Sequence, residues 1–329
     1  MTSQQHSLTQ HLTRRQFLQA GTLTTSSLLL GSAASLSSLA AKPNNSPIVD
    51  THMHIWANNY QKYPLRPGNA EPPCEGTAEM LIEEMDQHGV DHCVIVQVIY
   101  HGWDNSYVAD IQQKYPDKFR TQGLINPTDP KVADKLSYWI EERGLHGMRI
   151  SPIYYRDKDE WLTSKAHDEL WRRAAKLDAV FNYFIHSSQL PTLEVMVKRH
   201  PDVRIAIDHF AYVDISADNA EEEFQKLLKL SKYPNVHCKV SEMRSPSASK
   251  VYPYEDMHPY TERLLERYGA ERLMWGTGFP ASSRDYFKVP SVEQELDIIR
   301  KHLTFLSEED QRKILGLNAY HLWNFDKPA

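Results

Sequence analysis

Basic residues are the scarcer charge in this chain. Lys and Arg number 37 against 43 Asp and Glu across 329 residues, a formal net charge of −6. Arg14 and Arg15 are the only strong charges in the first forty residues, and without that segment 35 basic residues face 43 acidic ones, or −8. No Lys/Arg run occurs anywhere, which argues against nucleic acid or an anionic membrane surface as a partner. Cysteine is scarce too. Cys74, Cys93 and Cys238 form no CxxC pair and cannot all be paired, so a disulfide framework is excluded and one bridge is the most the chain can make. A glycine-rich phosphate loop is missing after the first apolar strand. Beyond residue 46 there is also no internal repeat, linker or low-complexity stretch.

What the N-terminus does have is a paired arginine, Arg14-Arg15, followed by an uncharged run rich in Leu and small residues from Ala20 to Leu39. Ser38-Leu39-Ala40 places small residues where a signal peptidase reads them. This predicts a twin-arginine signal peptide over 1–40, a short linker over 41–46, and an exported mature protein, periplasmic or extracellular. The rival is a membrane anchor, but the Ser, Thr and Gly content makes the run weak as a permanent span. No membrane association is expected once the signal is removed.

From Pro47 onward short apolar runs alternate with amphipathic ones. Strands are expected at 47–52, 92–99, 120–125, 146–150, 180–186, 203–209, 235–240 and 272–276. Helices are expected at 77–88, 104–115, 130–143, 165–178, 189–199, 219–231 and 256–268, with more from 291. Thr77 and Asp129-Pro130 are start signals, and Gly89, Gly144 and Gly269 stand just past helix ends. Eight strands each followed by a helix predict an α/β fold, a (β/α)8 TIM barrel in one domain over 47–326. An open doubly wound sheet is the alternative, but HMH stands where its phosphate loop belongs. The segment 56–76, rich in Pro and aromatics, reads as a lid.

Chemistry in such a barrel sits at the C-terminal strand ends. Strand one ends in His52 and His54, which alternation puts on the same face, so that both imidazoles can bind one divalent metal. Strand two ends near Gln97, Tyr100 and His101. Strand four carries His146 and Arg149, strand five ends in His186, and strand six ends in Asp208-His209. Strand seven carries Lys239 and Ser241, and strand eight ends in Trp275-Gly276-Thr277-Gly278. Any one of these is ordinary; four histidines at three strand ends, converging on one mouth, point to a metal or acid–base site. Arg149 is a candidate fork for a substrate carboxylate, or else a rim salt bridge. Lys239 is a candidate for the same work, or pairs with Glu242 or Asp208. Asp208 is expected to orient an imidazole. His88, His92, His167, His200, His258 and His302 fall on helices or loops and are read as surface residues.

VDTHMHIW at the first strand, GMR at the fourth, IDHF at the sixth, KVSEM at the seventh, ERLMWGTGFP at the eighth and ILGLNAYHLW near the C-terminus stand together in this chain. With them the chain resembles the amidohydrolase superfamily, specifically its amidohydrolase-2 branch of lactonase- and decarboxylase-like metal-dependent hydrolases. The resemblance implies that His52, His54 and His186 are metal ligands and that His209 is the catalytic histidine. It also implies an aspartate after strand eight, in WGSDFP or WGTDFP, that binds metal and takes the proton from attacking water; here Gly278 holds that position. Strand four lacks the bridging lysine of binuclear branches, so one divalent metal is expected, zinc first and manganese as the alternative.

The expected activity is hydrolysis of a small lactone or ester by metal-activated water, with His209 assisting and Arg149 and Lys239 binding the substrate. Trp56, Tyr60 and Tyr63 would stack on a substrate ring. Three accounts of Gly278 stay open: another carboxylate (Asp208, Glu242 or Asp285) is the base; His209 is the base in an easy lactone opening; or catalysis is impaired and the site binds a ligand. Non-oxidative decarboxylation is a further reading. The partner expected is a small-molecule substrate, with a homo-oligomer left open.

Overall fold

The computed structural model describes residues 46–155 and 158–327; the segment read as a signal peptide lies outside the described residues. All eight expected strands form, as β1 (Val49–Met53), β2 (His92–Val96), β3 (Phe119–Leu124), β4 (Gly147–Ile150), β5 (Val180–Tyr183), β6 (Ile205–Ile207), β7 (Val236–Ser241) and β8 (Leu273–Gly276). They are all parallel and are ordered β1 to β8 without reversal, which rules out the doubly wound alternative. The sheet closes on itself where Thr51 Oγ1 donates to Trp275 O at 2.6 Å and His54 N–H donates to Gly278 O at 2.8 Å. The chain is a TIM barrel.

The strands read as nearly unbroken apolar runs because a parallel sheet is covered on both faces. Around them lie α1 (Ala78–His88), α2 (Ser106–Lys114), α3 (Val132–Ser137), α4 (Lys165–Lys176), α5 (Leu190–Arg199), α6 (Ala220–Lys229) and α7 (His258–Tyr268). After the last strand come α8 (Ser283–Phe287), α9 (Val292–Asp297), α10 (Glu308–Arg312) and α11 (Asn318–Leu322). Thr77 caps α1 by accepting the Met80 N–H, and Gly89 ends it at φ 66°. Strands β2, β5 and β6 end earlier than expected because the chain leaves each by a tight turn, at Ile99–His101, Ser187–Gln189 and His209–Tyr212. The polar residues that the expected strands had included, Gln97, His186 and Asp208-His209, stand at these exits.

The N-terminal end of the barrel is plugged by the C-terminus. Leu322 and Trp323 pack with Val49, Val94, Val180, Ala206 and Met274 in a buried cluster. Arg120 donates to the carbonyls of Trp323, Asn324 and Lys327 and so ties the plug to β3. Gly316 is required here, since a Cβ on it would lie 1.7 Å from Pro47 O. Fully burying one large apolar side chain in this way contributes about 1.5–3 kcal/mol.

Two expectations are corrected. His167 is buried, not on the surface: its Nε2 pairs with the Tyr183 hydroxyl at 3.1 Å, and its ring meets Trp161 and Trp171 edge-on. Trp56 is also core, donating Nε1–H to Cys74 O and pressing on Gly76. The three cysteines are free. The segment 56–76 is held down by His101, whose Nε2 accepts the Ala57 N–H at 3.2 Å and whose Nδ1 pairs with Pro64 O at 3.1 Å.

Candidate active site

The end of β1 is positioned by a buried carboxylate. Pairing with β2 shifts register between Asp50 and Met53. Asp50 Oδ1 accepts the N–H groups of His52 (2.9 Å) and Thr277 (3.1 Å), and Oδ2 accepts the Thr277 hydroxyl (2.6 Å). This fixes the backbone from which both histidines project. Their ring centroids lie 4.8 Å apart, and the His209 ring is 4.3 Å from that of His52. His54 Nδ1–H donates to Val96 O at 2.7 Å, which leaves the lone pair on Nε2. Burial pushes the His54 imidazole down to about 3, holds His52 well below its ordinary value and lowers His209 as well. All three rings are neutral near pH 7, as ligands or bases must be.

Behind His52 sits Lys239, fully buried. Its Nζ lies 2.8 Å from Thr51 O, 3.0 Å from Asp208 Oδ1 and 3.1 Å from His52 Nδ1. Buried against Thr51 O and Asp208, the ammonium lies behind His52, while His52 Nδ1–H faces the Asp208 carboxylate at 3.4 Å and leaves the lone pair on Nε2. Burial would raise the Asp208 carboxyl, but the Lys239 ammonium, with a hydrogen bond from His52, holds it well below the carboxylate range. Arg149 Nε is 3.5 Å from Asp208 Oδ2, and its guanidinium lies 4.1 Å over the Phe184 ring. Arg149 also lines a cavity of about 50 Å³ with Val98, Ile99, Trp103, Ser151, Tyr154 and Tyr155, so it is the cation that faces open space. A wider cleft of about 530 Å³, lined by Gln112, His146 and Arg204 among others, opens where β4 and β5 begin, away from this chemistry.

His209 opens a left-handed turn. Its φ is 48°, and Phe210, Ala211 and Tyr212 follow at 54°, 53° and 50°. Non-glycine residues in this region cost about 1–2 kcal/mol each, and such strain collects at functional sites. His209 Nδ1 is held by Ser241 Oγ at 2.8 Å, and its Nε2 stands 3.9 Å from Glu242 Oε2. Glu242, at the C-terminal end of β7, is itself left-handed at φ 49° and accepts the Tyr212 hydroxyl at 2.9 Å. Burial and the Glu242 carboxylate push the Tyr212 phenol far up.

His186 is not gathered into this group. It caps the turn after β5, taking the Ser188 N–H and Ser188 Oγ at Nδ1 and the Gln189 side chain at its own N–H. Tyr63 turns outward to Asp110. Asp285, on α8, is exposed. Gly278 has φ 122°, and a Cβ on it would meet nothing nearer than Glu242 Oε1, at 3.7 Å.

His52, Asp208 and His209 bring potential ligand atoms within 4.8 Å of one another, and His52 Nε2 is a buried nitrogen with no hydrogen-bond partner. His54 Nε2 carries a lone pair. His52 and His209 beside Asp208 are therefore the group that could hold a single divalent ion, with the His54 ring centroid 4.8 Å from that of His52, and imidazole nitrogens suit zinc. Lys239 and Arg149 cancel the charge of Asp208, so the set is weaker than one with a free carboxylate.

A family model described as Amidohydrolase matches residues 49–325. An L-fucono-1,5-lactonase of Burkholderia ambifaria is 23% identical over 291 residues, covering 85% of this chain and 97% of that protein. A probable 2-pyrone-4,6-dicarboxylic acid hydrolase from Acinetobacter baumannii, solved with citric acid bound, superposes with a TM-score of 0.70 at 21% identity, covering 84% of this chain and 99% of that one. An amidohydrolase from Burkholderia multivorans with bound zinc superposes with a TM-score of 0.67 at 18% identity, covering 85% and 99%.

Proposed function

The chain belongs to the amidohydrolase family, and from that premise we propose that it is a metal-dependent hydrolase that opens a small lactone or ester. The observation that carries this reading is the set of neutral imidazoles of His52, His54 and His209 at one mouth, with a buried, unpartnered His52 Nε2, beside the cavity that Arg149 lines. His52 and His54 would hold one divalent ion, zinc first with manganese as the alternative, and that ion supplies Lewis-acid polarisation of the ester carbonyl. Arg149 binds a carboxylate or hydroxyl of the substrate. His209, oriented by Ser241 at Nδ1, moves a proton at Nε2. Asp208 and Lys239 touch no substrate and hold the His52 ring in place.

The L-fucono-1,5-lactonase relative supports the choice of a lactone, and the zinc-bound relative the choice of metal. Arg14-Arg15 and the uncharged run after it support export to the periplasm or beyond, with the barrel as the mature domain from about residue 47. The partner is a small molecule.

The test is ring opening by the mature protein, with zinc or manganese supplied, over 1,4- and 1,5-aldonolactones including L-fucono-1,5-lactone, dihydrocoumarin and 4-nitrophenyl acetate. Metal-dependent opening of at least one, abolished in His52→Ala/His54→Ala, is expected. If none is opened, the hydrolase reading falls.

A further inference from the structure

We propose that Glu242 is the general base of this site, its Oε1 taking the proton of the water that attacks the substrate carbonyl. The inference rests on the hydrolase reading above. It follows from which carboxylate at the mouth is still available for a proton. Asp208 is spent on Lys239 and Arg149. Asp50 is filled by Thr277 and the His52 N–H, Glu84 is held by Arg284, and Asp285 stands exposed on α8. Glu242 alone is close to the imidazoles with no Lys or Arg bridged to it among the described residues, and its side chain is only 17% exposed.

The two oxygens of Glu242 are unlike. Oε2 accepts the Tyr212 hydroxyl at 2.9 Å and Ser245 Oγ at 3.4 Å, and lies 3.9 Å from His209 Nε2. Oε1 has no hydrogen bond among the described residues. It points at Gly278, where a Cβ would stand 3.7 Å away with no other neighbour within 4 Å. The bare glycine thus leaves room for a water in front of Oε1. Both sides of this pocket are built on left-handed backbone, Glu242 at φ 49° and His209 to Tyr212 at 48° to 54°, strain that the fold maintains in order to aim these side chains.

The step balances. A water O–H bond breaks and its proton goes to Oε1, while the water oxygen forms a bond to the carbonyl carbon. Collapse of the tetrahedral carbon breaks the ring C–O bond, and the leaving alkoxide takes the proton back, directly or through His209 Nε2. The product is the open hydroxy acid.

The experiment uses the metal-loaded mature protein and whichever lactone of the panel above the wild type opens. Glu242→Gln is expected to lower kcat by about 10²–10⁴-fold with little change in KM, and Glu242→Asp to retain more activity than Glu242→Gln. Added formate should restore part of the rate of Glu242→Gly without stimulating the wild type, a gain that a merely structural role would not produce. Asp285→Asn serves as the control and keeps the wild-type rate. A Glu242→Gln rate equal to that of the wild type overturns the inference and leaves the hydrolase reading standing. So does a loss that lies in KM alone and is not rescued by formate. A wild type inactive on the whole panel overturns both.

Discussion

Lys239 and Asp208 form an ion pair with neither side chain exposed, Nζ 3.0 Å from Oδ1. Each charge is useful only through the other. The lysine could not stay protonated in an apolar barrel without the carboxylate, and burial lowers its pKa even so. Together they reach His52 Nδ1, at 3.1 Å from the lysine and 3.4 Å from the aspartate. The pair thereby sets how the first histidine faces the mouth.

Removing one partner should cost far more than the pair contributes. Lys239→Met leaves Asp208 buried with only the more distant Arg149 guanidinium, and breaking buried pairs in this way typically costs about 3–5 kcal/mol. The double variant Lys239→Met/Asp208→Asn should recover part of that loss. Urea denaturation of the three proteins measures it; equal losses in the single and double variants would contradict the pairing.

Restoring an aspartate at position 278 should not improve this enzyme. Gly278 stands at φ 122°, where a side chain is strained by about 1–3 kcal/mol. Its new carboxylate would also grow toward Glu242 Oε1, 3.7 Å from the Cβ position, putting like charges in one space. Gly278→Asp is expected to lower kcat below the wild type, and Gly278→Asp/Glu242→Gln to be less impaired than the sum of its two single variants. Higher activity in Gly278→Asp would mean that Glu242 is not the base.

The barrel was legible because its signal is repeated eight times: each β-run ends in a turn and hands over to an amphipathic helix. His52, His54 and His209 were legible for a local reason, since each lies at the end of a strand or one residue past it. For Lys239 and His186 sequence shows which strand end a residue occupies, not whether its side chain points forward into the mouth, back into the barrel or out to a cap. His167 was read as surface because a single histidine on a polar helix carries no mark of the Tyr183 hydroxyl that receives it. Glu242 stood in the sequence only as one of three carboxylates. What separates it from Asp208 is the absence of a cation, and from Asp285 its place beside His209 rather than exposed on α8, both visible only once the barrel is closed.

Acid should unfold this protein partly through its buried histidines. Burial pushes His167 down to about 3, and His146 likewise to about 3. Such a group is neutral in the folded state while the unfolded chain takes up a proton near pH 6.5. The unfolded state therefore binds more protons, stability is complete above about 6.5, and it is lost as pH falls from there toward about 3. Each such histidine contributes a slope of up to about 1.4 kcal/mol per pH unit in that window. His167→Gln should reduce the proton uptake on unfolding between pH 6 and 4 by about one. Urea midpoints across that range would show parallel curves for the two proteins if His167 were not involved.

The seam of the barrel should be sensitive at one hydroxyl. Thr277 Oγ1 donates to Asp50 Oδ2 at 2.6 Å and accepts from Arg284 Nη2 at 2.8 Å, and Arg284 Nε continues to Glu84 Oε1 at 2.8 Å. The chain of contacts runs from β1 through the loop after β8 to α8 and α1, all of it buried. Thr277→Val keeps the shape but strips Asp50 and Arg284 of a partner each, and every buried polar group left unpaired costs about 1–3 kcal/mol. Since Asp50 also holds the His52 N–H at 2.9 Å, the effect should reach the site: zinc affinity is expected to fall by about 10–100-fold, as for other residues that orient a ligand. Thr277→Ser keeps the hydroxyl and should stay near wild type in both. Urea midpoints and competition titration with a chromophoric chelator measure the two effects. Loss of stability with unchanged zinc affinity would show that Asp50 closes the barrel without positioning His52.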